Sequence, residues 1–183
     1  MTTISSILTI HMLCSLDGYV TKKDGSVDWM NTGSQYPKGE ELTENEIQEF
    51  LESVDCYVMG SRTYEHALEL GWPYGETPVY VFSNGNLQDE RAQVKFLSGD
   101  VKEVVEKGIK SVHKNIWMVG GPDLVSQFFY AGLADELVIT YVPVLLGEGL
   151  PFFSKIAADI RLETLGTRAF KDGMVEIRYR VLK

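Results

Sequence analysis

The stretch Ile116-Trp117-Met118-Val119-Gly120-Gly121-Pro122-Asp123-Leu124-Val125 constrains this chain more than any other. Ile116 to Val119 is a short apolar run, suited to a strand covered on both faces. Two glycines follow. Without a Cβ they can take unusual backbone angles, and another molecule can come close to their main chain. Pro122 suits the first position of a helix, where a missing N–H is no loss. Leu124, Val125, Phe128 and Phe129 recur at helical spacing, so that helix has one apolar face. Its first-turn N–H groups lack internal partners and carry partial positive charge, which suits a bound phosphate. The same pattern also serves as plain punctuation in α/β folds.

A second corner repeats the theme. Cys56 to Met59 reads as a buried strand that runs into Gly60-Ser61-Arg62-Thr63-Tyr64 and a short helix ending near Gly71. Gly60 permits close approach, Ser61 and Thr63 offer hydroxyls, and Arg62 is a forked cation matched to phosphate. In the other reading Ser61 caps its helix and Arg62 is solvated. Two such corners in one domain favour a cofactor that carries a diphosphate. Pro78 to Phe82 predicts another strand, ending in Ser83-Asn84-Gly85-Asn86. Those polar groups suit a ribose or its phosphate, or a plain turn.

Upstream, Ile7 to Cys14 predicts a central strand, interrupted by His11. The more frequent role for such a histidine is a satisfied core residue. Ser15-Leu16-Asp17-Gly18 then marks a tight turn at the strand's carboxyl end, where ligands bind in open α/β sheets. Asp17 either contacts a ligand or closes an Asx turn. Residues 21 to 42 lack periodicity, and so long a loop is usually functional. Within it Trp29, flanked by Asp28 and Met30, offers a flat wall for a ring-shaped ligand or docks onto the core.

The capping-box spacing of Thr43 and Glu46 opens a helix with Ile47, Phe50, Leu51 and Val54 on one face. Val94 to Leu97 predicts a strand, and Asp100 caps a helix with Val101, Val104, Val105 and Ile109 inward. Glu136 to Val144 predicts a strand before a glycine-rich loop whose Glu148 either reaches the cleft or stays in solvent. Residues 161 to 170 and 174 to 182 flank the hairpin signal Lys171-Asp172-Gly173. The expectation is one domain over residues 1–183, with α/β alternation closed by an antiparallel hairpin.

A net charge of −9 argues against a nucleic-acid or anionic-membrane partner, since both need a basic face. Cys14 and Cys56 read as buried reduced thiols. No run is long enough to span a bilayer and no basic leader precedes the first apolar run, so a cytoplasmic protein is expected. His11, His66 and His113 are scattered and no Cys-x-x-Cys occurs, so no metal is expected. The GxGxxG fingerprint of the standard dinucleotide fold is missing.

The order of these fragments resembles the dihydrofolate reductase-like fold. More narrowly it resembles stand-alone bacterial relatives of the RibD C-terminal reductase domain of riboflavin biosynthesis. The resemblance spans nearly the whole chain and rests on several segments: Ser15 to Tyr19, Met59 to Tyr64, Val119 to Pro122, Asp135 to Leu137, and Pro143 to Gly149. It implies a central, mostly parallel sheet flanked by helices, with the C-terminal hairpin antiparallel. It implies NADPH, held by Gly60, Ser61, Arg62 and Thr63, by Val119, Gly120, Gly121, Pro122, Asp123 and Leu124, and at the adenosine end by Ser83 and Asn84. Ser15, Asp17, Trp29 and Glu148 would border the substrate, and Asp17, Asp28 or Glu148 would supply or relay the proton that accompanies hydride. The implied activity is of the 5-amino-6-(5-phosphoribosylamino)uracil reductase type on a small molecule. A non-catalytic NADPH-binding module and dihydrofolate reduction are the alternatives. Homodimers are common among such relatives. The riboflavin reductases usually carry a lysine on the first strand, about where His11 stands here. The substrate-binding acid that the folate enzymes carry on the first helix has no secure match here: Glu44 lies at a plausible offset but already belongs to the cap region.

Overall fold

The first apolar run forms β1 (Ile7–Ser15), with Leu8 and Ile10 wholly buried. The computed structural model describes residues 5–183 apart from 86, 155 and 157. Asn86, read above as part of a ribose-binding turn, therefore lies outside the described residues. β2 (Tyr19–Thr21) follows across the Asp17-Gly18 turn, and a single 3-10 turn spans Asp28–Met30. α1 (Glu44–Ser53) opens on the predicted reciprocal cap. Thr43 N–H donates to Glu46 Oε2 at 3.0 Å, and Glu46 N–H donates to Thr43 Oγ1 at 3.2 Å.

β3 (Cys56–Gly60) runs without a loop into α2 (Ser61–Glu69), and β4 (Val79–Phe82) and β5 (Val94–Leu97) follow. The predicted helix over 101–109 is more irregular than its periodicity implies. α3 (Val101–Glu103), capped by Asp100, widens into a π turn over Val104–Ile109, closed where Lys110 N–H donates to Val105 O at 2.8 Å. Val105 and Ile109 still both face the core, at 0% and 1% exposure. β6 (Asn115–Gly120), α4 (Pro122–Tyr130) and β7 (Glu136–Val142) complete the parallel part. β8 (Leu150–Pro151) pairs with β2, and β9 (Leu162–Ala169) and β10 (Val175–Val181) form the C-terminal hairpin.

Eight strands lie in the order β5-β4-β3-β6-β1-β7-β10-β9. All neighbours are parallel until β10, which is antiparallel to both β7 and β9. Strand parity divides the core. Leu8, Ile10, Val58 and Met118 face Val125 and Phe128 of α4 together with Val105 and Ile109. Tyr57, Met59, Val79 and Val81 face Tyr64 of α2 on the other side. α1 is less deeply set than its apolar stripe suggests. Ile47, Phe50 and Leu51 all stay partly exposed, and Phe50 touches the sheet through the rings of His11 and Trp117.

The connections place the site. The chain leaves β1 for β3, two places to one side, and leaves β6 for β7, two places to the other. The carboxyl ends of β3, β6 and β1 therefore lie side by side where the winding reverses, the position at which open α/β sheets bind ligands. Among the described residues, no helix is long and apolar enough to cross a membrane.

Candidate functional site

Two helices begin at this crevice without a side-chain cap. Gly60 is the N-cap of α2, at φ −85° and ψ 165°, and Gly121 is the N-cap of α4, at φ −83° and ψ −175°. Ser61 is the first residue of α2 and caps nothing, so the reading in which it merely closes its own helix does not hold. The two corners abut. A Cβ built on Gly60 would stand 3.8 Å from the Gly121 nitrogen and 4.0 Å from the Gly120 oxygen. Gly120 sits at φ +140° against the Met12 side chain, a backbone state that glycine takes readily and other residues do not. The Gly120–Gly121 peptide bond is cis.

The corners open into a cleft of about 850 Å³, within the range for small-molecule and cofactor sites. All twelve residues expected at the cofactor line it: Gly60, Ser61, Arg62 and Thr63 of the first corner, Val119 to Leu124 of the second, and Ser83 and Asn84 at the end of β4. Arg62 is exposed on the first turn of α2 and has no acidic partner among the described residues, so its cation is free for a ligand. Asp123, on the first turn of α4, accepts a hydrogen bond from Ser154 Oγ at 3.3 Å.

The expected acids lie elsewhere; none of Asp17, Asp28 and Glu148 lines the cleft. Asp17 is a clasp between loops. It accepts hydrogen bonds from Ser15 Oγ at 2.6 Å, Leu146 N–H at 3.1 Å and Gly147 N–H at 2.7 Å. The Ser15 hydroxyl and those backbone donors hold its carboxyl below the usual range. Ser15 is itself wholly buried and accepts from Tyr19 N–H, so it too serves the turn. Asp28 pairs with Lys22 at 2.8 Å and Glu148 with Lys23 at 2.6 Å, both in solvent. Trp29 is 6% exposed; the 3-10 turn directs it into the protein while its neighbours Val27 and Met30 line the cleft.

Asp17→Ala tests this reassignment. The substitution should leave ligand binding at the glycine corners unchanged and free the 145–149 loop. Limited proteolysis should then cut that loop faster than in the parent protein. Loss of cofactor binding in the variant would return Asp17 to the site.

Among the cleft-lining residues that sequence reasoning missed are His11 and Trp117. Their rings stack with centroids 5.2 Å apart, and the Trp117 indole N–H donates to the His11 carbonyl at 3.0 Å. Burial, reinforced by the charge of Arg178, lowers the His11 pKa to about 4, so the ring is neutral near pH 7. Alternation was the available signal: Leu8, Ile10 and Met12 point to one layer, which sends His11 to the other. Cys14 and Cys56 are buried free thiols, as expected.

Comparison with known proteins agrees with the architecture. A family model described as the RibD C-terminal domain matches residues 6–176. The chain is 32% identical to the uncharacterized protein YwjB of Bacillus subtilis (strain 168) over 174 residues, covering 93% of this chain and 95% of that one. A crystal structure of a Shewanella sp. PV-4 protein named for riboflavin biosynthesis superposes with a TM-score of 0.82 at 25% identity, covering 97% of this chain and 99% of the other. Dihydrofolate reductase from Enterococcus faecalis, complexed with NADP(H) and RAB-propyl, shares the fold at a TM-score of 0.65 and 17% identity, with 98% and 99% coverage. The chain thus has the dihydrofolate reductase-like α/β fold with the expected mostly parallel sheet and antiparallel end.

Proposed function

The chain belongs to the RibD C-terminal domain family, and on that premise we propose that it is an NADPH-dependent reductase of a small, ring-bearing substrate. One observation supports this above the others. The residues expected to hold the cofactor come from three separate segments and line a single cleft. In this reading the diphosphate lies between Gly60 and Gly121, where two uncapped helix starts supply N–H donors and Arg62 supplies countercharge. Ser83 and Asn84 take the adenosine end, and the nicotinamide lies toward β1.

When bound, NADPH supplies hydride to a C=N or C=O carbon. The protein's part is to hold donor and acceptor in contact and keep water out. Since Asp17, Asp28 and Glu148 are engaged elsewhere, the accompanying proton comes from a group in the cleft or from solvent. Reduction of the phosphoribosylaminouracil type is the family's reference activity for this reading. Cytoplasmic location and a homodimer complete it. The half-covered apolar face of α1 supports the dimer, and sedimentation velocity showing only monomer would remove that part.

NADPH at 100 times its dissociation constant should stabilise the protein by about 2.7 kcal/mol. Its absorbance should then fall in the presence of an aminopyrimidine, pterin or ring ketone. Binding without turnover of any of these would leave a non-catalytic nucleotide-binding module, and turnover of dihydrofolate alone would make this a folate reductase. Absence of any NADPH-induced stabilisation would end the proposal.

A further inference from the structure

A hydride delivered in this cleft must be matched by a proton, and Asp17, Asp28 and Glu148 are engaged elsewhere. We infer that His11 gives that proton to the acceptor and is resupplied by Glu176, which draws on water from the far side of the cleft wall; this rests on the reductase reading. Among the described residues lining the cleft, the ionisable groups belong to His11, Arg62, His66, Tyr74 and Asp123. Arginine does not give up its proton in water. Arg62 and Asp123 both stand on the first helical turns at the corners, the end assigned to the diphosphate. Burial pushes the Tyr74 phenol up to about 12. His66 has its Nε2 enclosed and its Nδ1 turned to Glu69 Oε2 at 3.4 Å.

His11 differs on each count. It stands on β1, the strand toward which the nicotinamide lies in that reading. Its side chain is 17% exposed, and neither ring nitrogen is hydrogen-bonded or enclosed among the described residues. Stacking on Trp117 and the edge of Phe50, 5.4 Å away between centroids, clamp the ring. Its Nε2 lies 3.8 Å from Glu176 Oε2. That is beyond hydrogen-bond length but is closed by a small rotation of either side chain or by one bridging water. Strand register makes the approach. His11 pairs with Val138 of β7, and Thr140, on the same face, pairs with Glu176 of β10. Thr140 Oγ1 donates to Glu176 Oε2 at 3.5 Å.

Glu176 does not line the cleft, yet its side chain is 24% exposed. Arg178 and Arg180, on the same face of β10, are about half exposed, so that face is open to water. The imidazole thus meets the cleft and the carboxylate meets solvent. The other charge facing the ring is Arg178, whose Nε donates to Glu136 Oε2 of β7 at 2.8 Å. β6 and α1 bring the uncharged rings of Trp117 and Phe50. Burial and then Arg178 lower the ring's pKa to about 4, within the range of carboxyl groups. A proton therefore moves between an imidazole and a carboxylate there at little cost. In the step itself, a His11 imidazolium gives one N–H proton to the acceptor's nitrogen or oxygen. The electron pair of the C=N or C=O bond becomes the new N–H or O–H bond as hydride reaches carbon. The neutral ring then takes a proton from the Glu176 carboxyl, and the carboxylate takes one from water.

The test reads the whole protein in two ways. NMR of the histidine Cε1–H groups, with His11 assigned by its loss in His11→Gln, follows protonation without turnover. The His11 midpoint should lie near pH 4 in the parent protein, and Glu176→Gln should lower it by about one unit. The second readout is NADPH oxidation against pH with ribosylaminouracil 5′-phosphate, dihydrofolate and α-tetralone as acceptors. With an acceptor that is reduced, kcat should fall about tenfold per unit between pH 5 and pH 8, following the imidazolium fraction. His11→Gln should cut kcat at least about 100-fold at pH 5 and flatten the profile. Glu176→Gln should keep the slope and move it toward acid by the shift that NMR reads, with the KM for NADPH unchanged. Should His11→Gln fail to fold, Glu176→Gln, on the open face, carries the test. An unmoved His11 midpoint in Glu176→Gln, or parental rate and slope in His11→Gln, would overturn the inference and leave the reductase reading standing. NADPH that neither binds nor is oxidised would end both, even with the His11 midpoint moved by Glu176→Gln.

Discussion

Gly60→Val should abolish NADPH binding while leaving the fold intact. The backbone at Gly60, φ −85° and ψ 165°, lies in the extended region that β-branched residues favour, so the substitution introduces no backbone strain. The new Cβ would stand 3.8 Å from the Gly121 nitrogen, an ordinary contact. The γ-methyl groups, however, extend beyond it into the gap between the two corners. A diphosphate then cannot approach the N–H groups of either helix start. A loss of at least about 100-fold in affinity is expected, equivalent to about 2.7 kcal/mol. At a concentration where the parent protein gains that stabilisation, the variant should gain only about 0.4 kcal/mol. Gly120→Val is the contrasting control. Its φ of +140° and the Met12 contact at 3.3 Å mean that it should lower the melting temperature even without ligand. An NADPH shift of parental size in Gly60→Val, with normal secondary structure, would show that the cofactor does not lie between the corners.

The glycine corners were legible in the sequence because their signal is local. A buried apolar run, a residue without a Cβ and a helix start occupy one continuous stretch, and the sheet then brings two such stretches together. The cap at Thr43 and Glu46 and the Lys171-Asp172-Gly173 hairpin were readable for the same reason. The acids were not. Asp17, Asp28 and Glu148 stand in loops that border the cleft, but whether a loop side chain turns inward depends on partners far away in sequence. Asp17 is drawn to the backbone of residues 146 and 147, and Glu148 to Lys23. The pairing of β2 with β8 decides both, and it is only two residues long on one side. Trp29 was ambiguous because nothing in a non-periodic loop says which residue of a short 3-10 turn faces in. His11 and His66 were undervalued for another reason. Each looks like an isolated histidine in sequence, and only the packing of the sheet and of α2 places them on a common cleft.

Asp135→Ala should cost about 2–3 kcal/mol at neutral pH, and the cost should shrink in acid. The side chain fastens the start of β1 to the far end of the chain. It accepts from Leu8 N–H at 2.9 Å, Lys110 Nζ at 2.6 Å and Lys183 Nζ at 2.7 Å. Asp135 is 23% exposed and Lys110 17%, so the pair is largely sheltered, whereas Lys183 is half in solvent and adds less. Removing the carboxylate leaves Leu8 N–H without its acceptor and Lys110 with only the Leu133 carbonyl. Burial opposes ionisation of Asp135, but the bonds from Lys110, Lys183 and Leu8 outweigh it and set its pKa below the ordinary carboxylate value. A carboxyl depressed in the folded state contributes stability that is complete above its unfolded pKa of about 3.9 and disappears as pH falls through the folded value. Urea unfolding of both proteins between pH 7 and pH 2 should therefore show a stability gap that is constant down to about pH 4 and narrows below it. Asp135→Asn, which keeps an acceptor for Leu8 but not the charge, should fall between the two at pH 7. A gap of the same size at both ends of the range would mean that packing, not the charge on Asp135, holds β1 to the end of the chain.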